Sequence, residues 1–343
     1  MIRLLYVLND LKIGGAETQV VKLLNRLSEK GYVITLALLW KRGKLLERLD
    51  DRIRVIDLGM DKGKLNCYRR LNKLFNRFKP DVVNARLFYA SLITKLALRR
   101  KNIPIIMTHG SLDRWRNDLI NTVDSFLSKE VDLFIANSPA VALMLNKKLN
   151  IKKEKIIIIP NGIEGSDFPE NEFNGGVFGF LGRDSQAKGL DRFVEFIKKE
   201  DIKYKMYVAG EEIIPKGVER SNIVFNSNDI NRFFKDIDIL VVPSRWEGMP
   251  NVILEAGVFG KTVFASSGLG IEEIFENNIE YFSDIDGLQT LANKYKDNPF
   301  LVMKKGQDLW EKVNNDFSIE KMVEKYDRIY REAVSKSYDF SDK

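Results

Sequence analysis

Glu247 and Glu255 are separated by seven residues in the run Pro243-Ser244-Arg245-Trp246-Glu247-Gly248-Met249-Pro250-Asn251-Val252-Ile253-Leu254-Glu255-Ala256. The run follows an apolar segment, Ile237–Val242. Pro250 suits the first turn of a helix, where its missing N–H is no loss. The first N–H groups of a helix have no partner within it, so a helix start attracts anions. A diphosphate is therefore expected against Gly248, Met249, Pro250, Asn251 and Val252. Glu255 lies roughly 7.5 Å further along the axis, at about 1.5 Å per residue. One carboxylate then flanks each end of the diphosphate. Glu255 is placed to accept from two ribose hydroxyls, and Glu247 from sugar hydroxyls.

The same chemistry needs fixed positive charge. A sugar leaving its diphosphate becomes oxocarbenium-like while the leaving group gains charge, and preset cations and N–H groups lower that barrier. Arg183 and Lys188 are the expected cations, assisted by N–H groups near Gly14 and Gly15. No cluster of Asp, His or Cys has the spacing of metal ligands, so no metal is expected.

These motifs resemble, in the right order, those of the GT4 family of retaining glycosyltransferases. The acidic pair resembles its E-x7-E signature. Gly14-Gly15-Ala16-Glu17 resembles its N-terminal Gly-Gly-x-Glu loop, and Ile159-Pro160-Asn161-Gly162-Ile163 its domain junction. Phe180-Leu181-Gly182-Arg183 with Lys188-Gly189 resembles its Gly-Arg…Lys-Gly element, and Phe317–Tyr330 its closing helix. The resemblance spans the chain. It implies a GT-B fold, with two Rossmann-like doubly wound α/β domains facing a cleft and a C-terminal helix crossing back to the N-terminal domain. It implies a retaining, hexosyltransferase-type transfer from a nucleotide sugar, with no metal. Departures stand at Gly260-Lys261-Thr262-Val263, which lacks the family's proline, and at Gly268-Leu269-Gly270, where a Gly-Gly pair is usual. Ile223–Asn228 lacks the usual glycine near the base, so UDP- and GDP-sugars stay equally open.

His109, the only histidine, follows the apolar run Ile103–Thr108 and precedes Gly110. Its position alone fits a satisfied structural histidine. The resemblance implies a polar group near the reacting sugar and acceptor. Glu17 reads as a helix N-terminal charge favoured by the dipole.

The elements that must hold these residues are legible as two series of strands and helices. Arg3–Leu8, Tyr32–Leu39, Asp81–Asn84, Ile103–Thr108, Leu133–Ala136 and Ile156–Ile159 read as short buried strands. Glu17–Lys30 has helical apolar spacing. After a polar connection, Val177–Leu181, Lys205–Ala209, Ile223–Phe225, Ile237–Val242 and Val263–Ala265 read as strands, and Leu190–Glu200 and Ser318–Ser335 as helices. Alternation of this kind predicts parallel sheets covered on both faces. The expected domains are 1–164, with the closing helix at about 318–343, and 165–317.

The 343 residues suffice for two cores. The single cysteine, Cys67, excludes an internal disulfide and fits a reducing compartment. Neither a secretory leader nor a membrane span is expected. Residues 1–165 hold 31 Lys and Arg against 16 Asp and Glu, and the remainder 24 against 32. The basic half favours a polyprenyl-diphosphate-linked glycan as acceptor, an anionic membrane surface as partner and a peripheral place at the inner face of the cell membrane. The expected role is bacterial surface polysaccharide synthesis. Cys67–Phe78 is amphipathic, and its apolar face suits either a membrane surface or the sheet below it. Nucleic acid is not expected, since no base-stacking module appears. The competing readings are a nucleotide-sugar epimerase or phosphorylase on the same fold, and a catalytically silent glycan-binding subunit.

Overall fold

The computed structural model describes residues 1–99, 101–199, 202–227 and 229–335. Glu200, Asn228 and the expected extension of the closing helix over 336–343 lie outside them. Seven strands come first: β1 (Arg3–Leu8), β2 (Val33–Leu38), β3 (Arg54–Asp57), β4 (Val82–Arg86), β5 (Ile105–His109), β6 (Leu133–Ala136) and β7 (Ile156–Ile158). Five helices intervene: α1 (Gly15–Glu29), α2 (Lys64–Phe78), α3 (Phe88–Leu98), α4 (Asp118–Leu127) and α5 (Pro139–Leu149). Six strands follow: β8 (Phe178–Arg183), β9 (Tyr204–Ala209), β10 (Ile223–Phe225), β11 (Ile239–Val242), β12 (Thr262–Ser266) and β13 (Glu280–Phe282). Their helices are α6 (Leu190–Ile197), α7 (Ile230–Asp236), α8 (Asn251–Val258), α9 (Glu272–Phe275), α10 (Ile285–Tyr295) and α11 (Pro299–Asp316); α12 (Ile319–Ser335) closes the chain.

Two compact units result. The first comprises Met1–Gly162 together with the segment from Ile319 onward, and the second Ile163–Ser318. The first unit's sheet has the order β3-β2-β1-β4-β5-β6-β7, all parallel. Its strands are near-continuous apolar runs because helices cover both faces. Leu4, Tyr6, Leu8, Leu36 and Ile106 pack beneath α1 and α12. Leu5, Val7, Val83, Met107 and Phe134 pack beneath α2, α3 and α5. The C-terminal helix thus belongs to the first unit, through Met322, Val323, Tyr326, Ile329 and Tyr330. Asn84 Nδ2 donates to the Tyr330 hydroxyl at 2.7 Å, and the Tyr32 hydroxyl to Asp327 at 2.6 Å. Gln19 of α1 bonds Gly162 in both directions, at 2.8 and 3.1 Å, and so fixes the end of the Pro-Asn-Gly run.

Helix α2 resolves its two readings. Leu71 is buried, and Leu74, Phe75 and Phe78 pack against the same core as α3 and α5. This part of its apolar face is taken by the sheet, and the basic side is left to solvent with Leu65 and Tyr68.

The second unit's sheet has the order β10-β9-β8-β11-β12-β13, again all parallel. Phe178, Phe193, Phe196, Phe264 and Tyr295 fill one side, and Phe233, Phe234, Ile253 and Leu309 the other. Strands β3 and β13 have no counterpart in the sequence reading. Arg54-Val55-Ile56-Asp57 and Glu280-Tyr281-Phe282 are edge strands with too few apolar residues to signal a strand.

Candidate active site

In a parallel sheet, ligands settle beyond the C-terminal strand ends, at the point where strand order reverses. In the second unit that point lies between β8 and β11. Arg183 ends β8 and Pro243–Pro250 follows β11. Sequence order and topology therefore bring Arg183, Lys188, Glu247 and the start of α8 to one place. Arg183 completes the strand rather than belonging to the loop after it, because β8 runs on beside β9 to Ala209. It is exposed, and its guanidinium makes no hydrogen bond or ion pair among the described residues.

Lys188 and Glu247 are joined. The Lys188 ammonium donates to Glu247 Oε1 at 2.5 Å, and the Ser244 hydroxyl donates to the same oxygen at 2.9 Å. Both charged side chains are mostly shielded, at 23% and 12% exposure. Gly189 makes the pairing possible. Its φ is +69°, and a Cβ there would lie 2.1 Å from the Pro243 carbonyl oxygen. Only glycine lets the loop pass that close to the end of β11. Arg245 N–H bonds the Ala187 carbonyl at 2.8 Å, stitching the two loops together. Arg192 of α6 adds a further tie, donating to the Pro243 carbonyl at 3.3 Å and to Ser266 at 3.1 Å.

Pro250 caps α8 instead of lying in its first turn. Its φ is −74° and ψ 107°, and the helix starts at Asn251. Gly248, Met249 and Pro250 are buried. Met249 packs with Val242 and Ile253 in the core, so its backbone is what a ligand can reach. Asn251, Val252 and Glu255 are half-buried on α8. Gly268 and Gly270, at the departure from the Gly-Gly pattern, take φ +77° and +73°. Both glycines there adopt a backbone that other residues disfavour.

The first unit holds Gly14, Gly15 and His109. Gly14 precedes α1, and a Cβ on it would meet the Glu17 carboxylate at 2.3 Å. Here Glu17 turns back over the Gly-Gly loop from the first turn of its helix. His109 is the last residue of β5 and is buried. At that strand end, Arg86 closes β4 and Asn137 follows β6, and both lie within about 3 Å of where a Cβ on Gly110 would stand (2.9 and 3.1 Å). His109 Nε2, Arg86 Nε and Asn137 Oδ1 are buried with no hydrogen-bond partner among the described residues. Buried polar atoms left this way are costly unless a ligand or water meets them. The backbone beside them is strained as well: Leu87 has φ +73° and ψ 151°. Sequence reading missed Arg86 and Asn137. Arg86 is the polar last residue of β4 and Asn137 the polar residue just after β6, which is the one signal that marks them.

Burial, with the Lys95 and Arg116 cations nearby, pushes the His109 imidazole down to about 3. It is a neutral hydrogen-bonding group, not a proton acceptor. Those cations belong to a buried network. Lys95 donates to Asp124 at 2.6 Å and to Ser128 at 2.8 Å, and Arg116 to the other Asp124 oxygen at 2.7 Å. Burial raises the Asp124 carboxyl, but the two cations outweigh it and hold it below its ordinary value.

Two Rossmann-like units in one chain, a cationic site at a switch point and a final helix returned to the first unit define a GT-B glycosyltransferase. The Glycosyltransferase Family 4 profile matches residues 13–166, and the Glycosyl transferases group 1 profile residues 166–297. The chain belongs to the glycosyltransferases that combine these two domains. It is similar to the UDP-Gal:alpha-D-GlcNAc-diphosphoundecaprenol alpha-1,3-galactosyltransferase of Escherichia coli, at 25% identity over 85% of this chain and 87% of that one. It is also similar to the capsular polysaccharide biosynthesis glycosyltransferase CapM of Staphylococcus aureus, at 22% over 86% and 89%. Among solved structures it resembles Anabaena HepE in complex with UDP-glucose, with a TM-score of 0.82 at 17% identity, covering 96% of this chain and 100% of that one.

Proposed function

We propose that this glycosyltransferase moves a hexose from a UDP-sugar, with retention at the anomeric carbon, to a polyprenyl-diphosphate-linked glycan in bacterial surface polysaccharide synthesis. The observation that carries it is the Lys188–Glu247–Ser244 cluster beside the start of α8. A lysine ammonium has three protons, and Glu247 takes one. The others suit diphosphate oxygens, with Arg183 and the α8 N–H groups beside them. Held by Lys188 and Ser244 on one oxygen, the Glu247 carboxylate is oriented to accept from sugar hydroxyls with the other. Glu255 takes the ribose. Preset charge of this kind stabilises a departing diphosphate.

UDP is preferred to GDP because HepE binds UDP-glucose and the Escherichia coli relative uses UDP-Gal. The lipid-linked acceptor is supported by that relative's diphosphoundecaprenol substrate and by the basic first unit. The neutral His109, with Arg86 and Asn137, supplies hydrogen bonds on the acceptor side. In this reading Arg183 and Lys188 neutralise the diphosphate, so transfer is expected to proceed without a metal.

The test is transfer from UDP-hexoses to polyprenyl-diphosphate-GlcNAc in the presence of EDTA, with the product anomer read by NMR. An axial donor giving an axial product supports the reading. Glu247→Gln is expected to cut kcat/KM at least about a hundredfold, roughly 2.7 kcal/mol. Near-normal turnover by that variant sinks the assignment of Glu247, and an inverted product sinks retention.

A further inference from the structure

The outer side of α4 is built the wrong way round for a surface helix. A surface helix normally turns its apolar stripe to the core and its charges to water. Here Asp124 is the one fully buried residue of the ten. It is gripped from inside by Lys95 and Arg116. Leu119, Val123 and Phe126, spaced four and three residues apart on one helical face, are 73%, 47% and 52% exposed. Trp115, in the approach to the helix, is 58% exposed. The ion pairs hold α4 to its unit, which leaves the apolar ridge of Leu119, Val123 and Phe126 outside both of the unit's apolar cores.

The charges around the ridge select its occupant. The Arg99 guanidinium and the Lys129 ammonium each lie 5.3 Å from the Phe126 ring centre. Along the next side of α4, Lys147 and Lys148 line an open cleft of about 520 Å³ with Arg116, Thr122 and Ser125; Asp118 is its one acid. Glu130 is matched by Arg99 at 2.8 Å. Helix α2 covers the same face of the sheet and contains no acidic residue, and it turns Lys64, Arg69, Lys73 and Arg77 to solvent. An apolar ridge with an exposed tryptophan, bordered by cations, matches the chemistry of phosphate headgroups above acyl chains.

We infer that the α4 ridge is a docking surface for an anionic lipid bilayer. Leu119, Val123, Phe126 and Trp115 enter the acyl boundary, and the lysines of the α4–α5 cleft take headgroup phosphates. The basic side of α2 adds long-range attraction. The inference rests on the lipid-linked acceptor reading only for why a membrane is at hand.

The test uses the full chain, without donor or acceptor, in co-sedimentation with vesicles of phosphatidylglycerol or of phosphatidylcholine. Wild type is expected to pellet with phosphatidylglycerol and to stay in solution with phosphatidylcholine. Leu119→Glu combined with Phe126→Glu is expected to weaken binding at least about tenfold, with unchanged circular dichroism and unchanged UDP-sugar binding. Lys147→Glu with Lys148→Glu is expected to weaken it in the same direction. Three outcomes overturn the inference: equal pelleting on both lipids, wild-type pelleting by the Leu119/Phe126 variant, or no pelleting together with a self-association that this variant abolishes. The last outcome makes the ridge a contact between copies. Because no transfer is measured, a failure here leaves the UDP-sugar reading standing, and a failed transfer assay leaves the vesicle result standing.

Discussion

Single residues carry most of the chemistry in the second unit. Lys188 was expected on the donor's diphosphate and Glu247 on its sugar. The structure joins them directly at 2.5 Å. Their roles are coupled: removing Lys188 leaves the Glu247 carboxylate without its counter-charge, and removing Glu247 frees the Lys188 ammonium to move. Gly189 is the pivot of that pair. Gly189→Ala sets a side chain in the left-handed region and against the Pro243 carbonyl, and is expected to cost about 1 to 3 kcal/mol or more. Urea unfolding measures it, and KM for the donor is expected to rise with the displaced Lys188. His109 makes a different prediction. An unfolded imidazole binds its proton below about 6.5, whereas the native one holds out to about 3. Acidification between those values protonates only the unfolded chain, so stability falls as pH falls. The expected loss is about 1.6 kcal/mol from roughly pH 6.5 to pH 5. His109→Gln is expected to flatten this slope. A wild-type curve that is already flat, followed by chemical denaturation across that range, contradicts a neutral buried imidazole.

Elements explain what was legible in the sequence and what was not. The long buried strands, such as Arg3–Leu8, are covered on both faces and so leave a continuous apolar signature. Helix α12 shows its stripe of Met322, Tyr326, Ile329 and Tyr330. The edges β3 and β13 touch the core on fewer sides and lack that signature. The acidic pair and the glycine loops were readable because a helix start and a tight turn demand particular residue types. The contacts that join them were not, because Lys188 and Glu247 stand 59 positions apart. Helix α4 has no counterpart in the sequence reading, and its stripe of Leu119, Val123 and Phe126 stands outward because the ion pairs of Asp124 with Lys95 and Arg116 decide its orientation. Those pairs are therefore essential to the element. Asp124→Ala leaves the Lys95 ammonium buried with Ser128 but without a counter-charge, at an expected cost of about 3 to 5 kcal/mol. Thermal unfolding checks this; a loss below about 1 kcal/mol contradicts the anchoring role.

At the scale of the molecule, two units with separate cores need not melt as one. The proposed donor contacts, apart from Gly14 and Gly15, are in the second unit. Donor is therefore expected to raise mainly that unit's transition, by about 2.7 kcal/mol at roughly a hundred times Kd. Scanning calorimetry with UDP and with GDP distinguishes the bases: UDP is expected to shift the transition and GDP to leave it in place. An equal shift by both removes the preference for uracil. The return of α12 to the first unit has one more consequence, in time instead of space. The second unit is one unbroken stretch, Ile163–Ser318, while the first closes its core over β1, β2 and β4 only with residues from Ile319 onward. On the ribosome the part made first is thus completed last. Until α12 emerges, Leu4, Tyr6 and Leu36 have lost one of their covers, and the nascent chain carries an open apolar face through the whole synthesis of the second unit. Such a face is the kind of surface that chaperones bind. Unit two is complete in sequence before unit one, whose core closes only when α12 is made.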